Sequence, residues 1–374
     1  MNSIHHVNLP EGVRSGFLIK GDFLDAIPYG SGHINDTFLV RYIYKGRASQ
    51  FIFQRINHHV FKNPAGLMDN IKRTCVHLQN KAIALGKDPV RYSLAVVPAR
   101  EGNLNYFLDG ADYWRAYPFI GQSFSVDVVE NEEQAYQAAR TFGKFTTLLD
   151  DLPGDRLEES IPDFHHTVKR YNRFEEVIEA DSKGRLSSCE SVVKAYLSER
   201  ALANYVVEGL SNGLIKERVT HNDTKISNVL LDKKTGRGIC VVDLDTIMPG
   251  SLLYDLSDLV RTSTGMFEEN ERDLSKISMN LSYFRAVMQG FLEQTVSIMS
   301  EAEIAFLPRV GQLLTFECGM RFLTDYLEGD VYFRIHDEDE NLVRAKTQLK
   351  FLQIQQELEP ELQQIVKETL KQIH

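Results

Sequence analysis

The spacing of apolar residues changes from a strand-like to a helix-like pattern roughly a third of the way along this chain. Short apolar segments bounded by turn residues predict strands within residues 23–60, 92–99 and 106–120. One helix is predicted among them, at residues 66–85, from apolar residues spaced by three and four. These residues are Leu67, Ile71, Cys75, Leu78 and Ala82.

The rest of the chain is predicted to be mostly helical. The predicted helices cover residues 131–150, 163–179, 190–211, 271–299, 302–328 and 341–373. One hairpin interrupts them at residues 228–245, where the turn from Lys233 to Gly238 joins two apolar strands. This order predicts an α+β fold with two lobes, an antiparallel sheet lobe (1–118) and a larger, mainly helical lobe (119–374), joined near Tyr117 to Ser123.

Composition narrows the class of protein. Hydrophobic residues make up 43% of the 374 residues and charged residues 25%, as in globular proteins, and no apolar run approaches the ~18 residues of a membrane span. The N-terminus lacks the basic and apolar regions of a signal peptide, and the four scattered cysteines favour reduced thiols in the cytoplasm over disulfides or a zinc site. A net charge of −10 disfavours nucleic acid, so small molecules are the expected partners.

The segment His221-Asn-Asp-Thr-Lys-Ile-Ser-Asn228 carries the main chemical signal. Asn228 follows Asp223 by five residues, which is the spacing of a kinase catalytic loop. In such a loop the aspartate orients the acceptor hydroxyl and receives its proton, and the asparagine holds Mg²⁺ on the nucleotide phosphates. His221 is expected to be a hydrogen-bonded supporting residue.

A second magnesium ligand is expected from Asp243, at the end of the next strand. Antiparallel pairing across the Lys233–Gly238 turn should bring Asp243 beside Asn228, and Mg²⁺ prefers such carboxylate and amide oxygens. Alone, Asp223 could be a turn residue and Asp243 could simply close a hairpin. Together with Asn228 they indicate phosphoryl transfer.

The N-terminal lobe is expected to hold the nucleotide. Gly30, Ser31 and Gly32 lie at a predicted hairpin tip, where backbone N–H groups can approach phosphates. The same glycines also suit an ordinary hairpin. His33 at this tip is either a solvated turn residue or a ligand contact.

Four segments resemble the aminoglycoside-phosphotransferase-like kinases. They are YGSGHINDTFLV (29–40), VTHNDTKISNVLLD (219–232), VVDLDTIMPGSLLYDLSDLVR (241–261) and ECGMRFLTDYLEGDVYF (317–333). The similarity extends over nearly the whole chain, and the last segment, with Asp245-Thr246, resembles in particular the N-acetylhexosamine 1-kinases within that family. The resemblance implies a protein-kinase-like fold and an ATP- and Mg²⁺-dependent transfer of the γ-phosphoryl group to the anomeric hydroxyl of N-acetylglucosamine or N-acetylgalactosamine.

The resemblance also implies roles for individual residues. Asp223 would be the catalytic base, and Asn228 and Asp243 the metal ligands. The expected nucleotide contacts are Gly30, Ser31, Gly32, Arg55 and Phe119, and the expected sugar contacts are His33, Asn222, Asp245, Thr246, Arg321 and Tyr332. No membrane or protein partner is implied.

The third strand departs from the protein-kinase pattern. Protein kinases place there a lysine that pairs with a glutamate of the following helix, whereas this strand has Gln54 and Arg55 and helix 66–85 has no glutamate. Arg55 keeps a cation that suits phosphate, but strand alternation lets only one of the two residues face the nucleotide. The sequence leaves that choice open.

Two interpretations also remain for Arg321. Its spacing of four from Glu317 and from Asp325 predicts a surface ion-pair ladder, whereas the resemblance places its guanidinium on the sugar. Gly329 is predicted to end this helix, so that Tyr332 follows on a turning segment. The alternative acceptors are an aminoglycoside, a homoserine-like amino alcohol or another sugar, and a catalytically inactive nucleotide-binding scaffold is the alternative outside enzymes.

Overall fold

An antiparallel sheet forms the N-terminal part of the structure, a computed structural model that describes residues 6–30, 34–102 and 104–373. Five strands are ordered β1-β2-β3-β5-β4, and the other strands form a two-stranded and a three-stranded sheet, β10-β7 and β6-β8-β9. The strands are β1 Asp22–Pro28, β2 Asp36–Tyr44, β3 Arg47–Ile56, β4 Phe107–Asp109, β5 Asp112–Pro118, β6 Ser123–Phe124, β7 Arg218–Thr220, β8 Val229–Asp232, β9 Gly238–Val241 and β10 Met248–Gly250.

Helices make up most of the rest. They are α1 Glu11–Ser15, α2 Pro64–Ala84, α3 Pro89–Tyr92, α4 Glu132–Leu149, α5 Thr167–Ala180, α6 Glu190–Ser198, α7 Arg200–Ser211, α8 Leu252–Thr264, α9 Leu281–Thr295, α10 Glu301–Phe306, α11 Val310–Glu328, α12 Glu340–Glu357 and α13 Glu359–Ile373. The sheet followed by helices confirms the predicted α+β class.

Two hydrophobic cores hold these elements. The smaller core covers one face of the large sheet and includes Phe17, Val40 and Phe53. The larger core fills the helical part and takes in the buried stripe of α2, with Leu67, Ile71, Cys75, Leu78 and Ala82 as predicted. Helix α2 therefore packs with the helical part although it precedes residue 118, and the division of the chain at that residue stays a prediction.

The prediction of a strand at residues 92–99 is wrong. The segment follows the short helix α3 and runs beside the sheet with single contacts, such as Val97 N–H to the Ala116 carbonyl (2.9 Å) and an isolated bridge between Ala99 and Phe17. Pro98 within it has no N–H to donate to a ladder.

Helix α8 was not predicted. Eleven of its 13 residues are buried, among them Asp255 and Asp258, although its apolar residues recur at a helical spacing, which was an available signal. Three predicted helices are also divided: 190–211 at Glu199, 302–328 around Pro308, and 341–373 at Leu358, just before Pro360. Both prolines remove a backbone donor where a new helix or 3₁₀ turn begins.

Helices α4 and α9 pack closely through glycine. A Cβ at Gly290 of α9 would lie 2.3 Å from the Tyr136 carbonyl oxygen of α4, and one at Gly143 of α4 would lie 2.8 Å from the Phe291 oxygen. Any side chain at these positions would have to push two helix backbones apart.

We therefore expect Gly290→Ala to lower the free energy of unfolding by about 1–3 kcal/mol, the usual cost of overpacking. The higher helix propensity of alanine acts in the opposite direction, so a loss can be attributed to packing. Gly121→Ala is the matched control because a Cβ there meets no atom within 4 Å. Thermal unfolding would measure both, and equal midpoints for the two variants would contradict the close contact.

Candidate active site

The candidate catalytic loop lies between β7 and β8 and is held by Asp255 of α8. The Asp255 carboxylate accepts hydrogen bonds from the backbone N–H groups of His221 (3.0 Å) and Asn222 (2.7 Å), and its carbonyl accepts one from the Thr224 hydroxyl (2.5 Å). Asp255 is fully buried, which raises the pKa of its carboxyl, while His221 and the two backbone donors offset part of that shift. A core helix thus fixes the start of the loop.

His221 supports the loop from within the core, as expected. Its Nε2 lies 2.9 Å from the Val242 carbonyl, which can only accept, so Nε2 carries the proton and Nδ1 accepts from the Asp223 N–H (3.3 Å). The ring edge packs against Phe142 and Phe145. Both ring nitrogens are therefore used to hold backbone.

Asn222 and Thr246 form the frame behind the loop. Asn222 has a left-handed backbone (φ 63°), and its amide donates to the carbonyls of Thr246 (3.0 Å) and Thr220 (3.2 Å) and accepts from the Thr220 hydroxyl. The Thr246 hydroxyl donates to the His221 carbonyl (2.6 Å). Both side chains are expected to contact the sugar. In the structure both are buried, and their hydrogen bonds are made to other groups of the protein.

The hairpin of β8 and β9 brings Asn228 and Asp243 together, as predicted from the sequence. Val229 pairs with Val241, and the Val242 N–H donates to the Asn228 carbonyl (2.9 Å). The Asn228 amide nitrogen in turn donates to the Asp223 carboxylate (3.2 Å) and carbonyl (2.9 Å). Asp223, Asn228 and Asp243 therefore converge at one end of the hairpin.

The charges at this point are unbalanced. Asp243 opens to the cleft, and burial on its other sides together with the negative charges of Asp245 and Asp223 raises the pKa of its carboxyl. Lys225 lies 3.0 Å from Asp223, and although burial opposes it, the charges of Asp223 and Asp258 raise the pKa of this lysine. A cation bound near Asp243 would reduce the repulsion among the carboxylates of Asp243, Asp245 and Asp223.

The carboxylate of Asp245 connects the large sheet to the end of the β8–β9 hairpin. One carboxylate oxygen pairs with the Arg115 guanidinium of β5 and the other accepts from the Asn35 amide before β2. Arg115 also donates to Gln54 of β3 (2.9 Å), and Asn35 accepts from the Asn57 N–H (2.9 Å). Arg115 and Asp245 are both buried, so this is an internal ion pair rather than an open sugar contact.

Gln54 and Arg55 lie on opposite faces of β3, and Gln54 is on the face that meets the hairpin. Gln54 is in register with Thr37 and Arg115 and shares their face, the one that meets Asp245. Arg55 points to the opposite face, where it forms exposed ion pairs with Asp36 and Asp112 (3.4 Å). The expectation that Arg55 contacts the nucleotide is corrected accordingly, because strand alternation turns it away from the cleft.

Gly30 follows a tyrosine that packs against Phe119. Gly30 has φ 80° and no atom within 4 Å of a Cβ position, and its neighbour Tyr29 packs edge-on against Phe119 with ring centroids 5.8 Å apart. Two of the expected nucleotide contacts, Gly30 and Phe119, thus lie near each other. The expected contacts Ser31, Gly32 and His33 fall outside the described residues.

Arg321 lies among three aromatic rings. Its guanidinium carbon is 5.7 Å from the Phe164 ring centroid, 5.6 Å from Tyr332 and 5.5 Å from Phe333, and one nitrogen is 3.4 Å from the Tyr332 hydroxyl. Tyr332 is 67% exposed, so this group forms an open surface. Helix α11 ends at Gly329 in a left-handed conformation, as predicted.

The acids flanking Arg321 have other partners, so the ion-pair ladder does not form. Asp325 accepts the successive N–H groups of Val331, Tyr332 and Phe333 and thereby shapes the segment after α11. Glu317 is buried and binds His165 Nδ1 (2.9 Å).

His165 connects this group to the catalytic loop. Its Nε2 donates to the Asn222 carbonyl (3.0 Å), next to Asp223, while its Nδ1 reaches Glu317, one helical turn before Arg321. The neighbouring Phe164 supplies one of the rings on Arg321. Arg321 and Tyr332 are therefore tied to the segment that carries Asp223.

Sequence reasoning missed four residues of this arrangement: Lys225, Asp255, Arg115 and His165. Asp255 and Arg115 each interrupt an apolar run, which was an available signal, and Lys225 stands two residues after Asp223. For His165 the sequence offers no local signal. None of the described helices is long and apolar enough to cross a membrane.

Taken together, the sheet, the catalytic loop and the paired hairpin define a phosphotransferase with a protein-kinase-like fold. Residues 25–277, more than half of the chain, match the model of the phosphotransferase enzyme family, and the chain belongs to that family.

Solved structures of similar fold agree with this assignment. An aminoglycoside phosphotransferase from Alicyclobacillus acidocaldarius is 14% identical with a TM-score of 0.53, the match covering 98% of this chain and 97% of that one. A choline kinase from Cryptosporidium parvum is 15% identical with a TM-score of 0.54, covering 91% and 90%. A spectinomycin phosphotransferase in complex with ADP and spectinomycin is 15% identical with a TM-score of 0.50, covering 90% and 95%. At these identities the likeness supports the fold.

Arg115→Met should destabilise the protein by about 3–5 kcal/mol, because it leaves the buried Asp245 carboxylate without its counter-charge. Adding Asp245→Asn should restore part of that loss. Arg55→Met, which removes only exposed ion pairs, should cost at most about 1 kcal/mol. Thermal unfolding of these variants and of the Asp245→Asn single variant checks the ion pair, and additive losses at positions 115 and 245 would exclude it.

Proposed function

We propose that this protein is an ATP- and Mg²⁺-dependent kinase that phosphorylates the anomeric hydroxyl of N-acetylglucosamine or N-acetylgalactosamine, with a cytoplasmic location. Family membership supports phosphoryl transfer, and the ADP complex of the spectinomycin enzyme supports a nucleotide donor. The choice of acceptor rests on one observation, the position of Arg321. Its guanidinium group lies over three aromatic rings beside the catalytic loop.

Asp223 is the proposed general base. It receives the proton of the acceptor hydroxyl while that oxygen forms a bond to the γ-phosphorus and the bond to the departing ADP oxygen breaks. Lys225, 3.0 Å from Asp223, is placed to offset negative charge as the phosphoryl group moves. No covalent phosphoenzyme is needed, and positioning supplies much of the acceleration.

Asn228 and Asp243 are the proposed magnesium ligands, and their donor atoms fit that ion. The Asn228 amide nitrogen is used by Asp223, and among the described residues no donor occupies its amide oxygen. Asp243 is exposed, and burial of part of its carboxyl together with the charges of Asp245 and Asp223 raises the pKa of that group. A bound Mg²⁺ would neutralise phosphate charge.

Arg115 joins the proposed nucleotide side in place of Arg55. It is the buried cation on the sheet face that meets the hairpin, and its charge acts on Asp243 as well as on Asp245. Gly30 and Phe119 remain proposed nucleotide contacts, with Gln54 orienting Arg115.

The acceptor side favours an uncharged substrate over a cation. Aromatic faces can bind ammonium groups, but here Arg321 already covers Phe164, Tyr332 and Phe333. Arg170 lies close enough for the charge of Arg321 to act on it. Burial, and then that charge, lower the pKa of Arg170. Two guanidinium groups would repel choline, an aminoglycoside or an amino alcohol, and their N–H donors suit sugar hydroxyls and an acetamido carbonyl.

Within this proposal Arg321 and Tyr332 contact the sugar directly. The side chains of three other residues, Asn222, Thr246 and Asp245, are buried. They position the residues that line the site and do not themselves form hydrogen bonds to the sugar. An acceptor panel that includes both hexosamines, glucose, choline, homoserine and an aminoglycoside tests the proposal through ADP release. Turnover with choline or the aminoglycoside and none with the hexosamines would refute the acceptor assignment and leave the kinase in place.

Asp223→Asn should lower kcat by roughly 10²–10⁴, the usual contribution of a positioned general base, with little change in ATP affinity. The substitution is isosteric, so packing is preserved. Asp273→Asn, at an exposed turn, is the matched control. Steady-state kinetics and nucleotide titration separate the two effects, and near-normal turnover would show that Asp223 is not the base.

Asp243→Ala should raise the Mg²⁺ concentration needed for half-maximal activity as well as lowering the rate. Removing one of two protein ligands leaves the ion held by Asn228 and the phosphates. A magnesium titration of the rate measures this. A lower rate with an unchanged magnesium requirement would assign Asp243 a different role.

The product should be an acid-labile hexosamine 1-phosphate whose phosphorus couples to the anomeric proton in the NMR spectrum. Remote contacts at Arg321 fix which hydroxyl reaches Asp223, so a methyl glycoside should not react. Arg321→Ala should raise KM for the sugar and hardly change KM for ATP, and Arg309→Ala, at the other end of the helix, should change neither. A 6-phosphate product would overturn the proposed position of transfer.

A further inference from the structure

A cavity lies between helices α2 and α4 and the β8–β9 hairpin. Its walls are one face of α2, with Leu78 and Ala82, and one face of α4, with Phe145 and Leu148, and its floor is Val241 of β9. It offers about 50 Å³ to the centre of a water-sized sphere, several times the ~10–15 Å³ that one water needs. The mouth includes Leu85, a leucine that is 55% exposed.

Two lysines border this apolar space without acidic partners. Among the described residues, the ammonium groups of Lys144 and Lys87 make no hydrogen bond or ion pair, and Lys87 only lies over the Tyr92 ring (5.5 Å). Burial, and then the positive charges of Arg140 and Lys87, lower the pKa of Lys144. Cations held beside apolar walls would be stabilised by a bound anion.

The cavity also touches residues that hold the two candidate catalytic aspartates. Leu244, in its lining, directly follows Asp243 in the chain. Phe145, on the α4 side, packs edge-on against His221, whose Nδ1 accepts from the Asp223 N–H. A molecule in the cavity would therefore be separated from Asp243 by Leu244, and from Asp223 by Phe145 and His221.

We propose that this cavity is a second binding site for a small amphiphilic anion, a ring or branched alkyl group carrying a carboxylate or sulfonate. The apolar group occupies the space between α2 and α4, and the acid pairs with Lys144 and Lys87 at its edge. The site is separate from the nucleotide and acceptor sites, and it does not depend on which hydroxyl acceptor the enzyme uses.

The test uses the full chain and three probes with the same phenylalkyl group and different charge: 4-phenylbutyrate, 4-phenylbutanamide and 4-phenylbutylamine. Calorimetric or NMR titration should give saturable binding of the anion with a dissociation constant of about a millimolar or below, as expected for a ligand of this size. The amide should bind at least about tenfold more weakly and the amine not measurably, because only the anion pairs with the lysines. Saturating ADP should not displace the anion.

Two variants locate the binding. Lys144→Met keeps the aliphatic stem and should weaken anion binding about tenfold or more, whereas Lys194→Met, on the exposed surface of α6, should not. Ala82→Phe should abolish binding by filling the space, with the thermal midpoint as a check on folding. Equal binding of the amine, displacement by ADP, or an unchanged affinity in Lys144→Met would each overturn the proposal.

Discussion

The buried carboxylate of Asp255 is the contact on which the candidate active site depends. An acid in a fully packed helix is costly unless donors satisfy it, and here the donors are the backbone of the catalytic loop itself. The loop and α8 therefore stabilise each other. Through His221 the same arrangement extends to the Val242 carbonyl and so to the hairpin that carries Asp243.

The features that the sequence predicted correctly are those with a local pattern. The α2 stripe, the hairpin at 228–245 and the end of α11 at Gly329 follow from spacing and turn chemistry within a few residues. The convergence of Asn228 and Asp243 was predictable because a short turn leaves little freedom in the register of the pair.

The features that were missed or wrong depend on partners far along the chain. Helix α8 is buried on nearly all sides, and its Asp255 carboxylate has its partners at His221 and Asn222, 34 and 33 residues earlier. The side of β3 that faces the cleft is decided by Arg115, 61 residues after Gln54. The hydrogen bond from the Asn222 amide to the Thr246 carbonyl likewise joins residues 24 positions apart.

The surroundings of Arg321 show how one arginine can change the chemistry of an aromatic surface. Three rings without it would form a surface suited to a cationic substrate. With the guanidinium over them, the same surface presents N–H donors above an apolar base. This change needs no movement of the backbone, because His165 and Glu317 hold that part of the site independently.

The anchoring of the segment after α11 separates the shape of the main chain from the identity of its side chains. Asp325 binds three successive backbone N–H groups and the Asn341 amide, so the path of residues 331–333 is set by a buried acid behind them. The exposed side chains on this segment can be exchanged while the backbone keeps its course. Such a loop is a natural place for acceptor preference to diverge among related enzymes without loss of the fold.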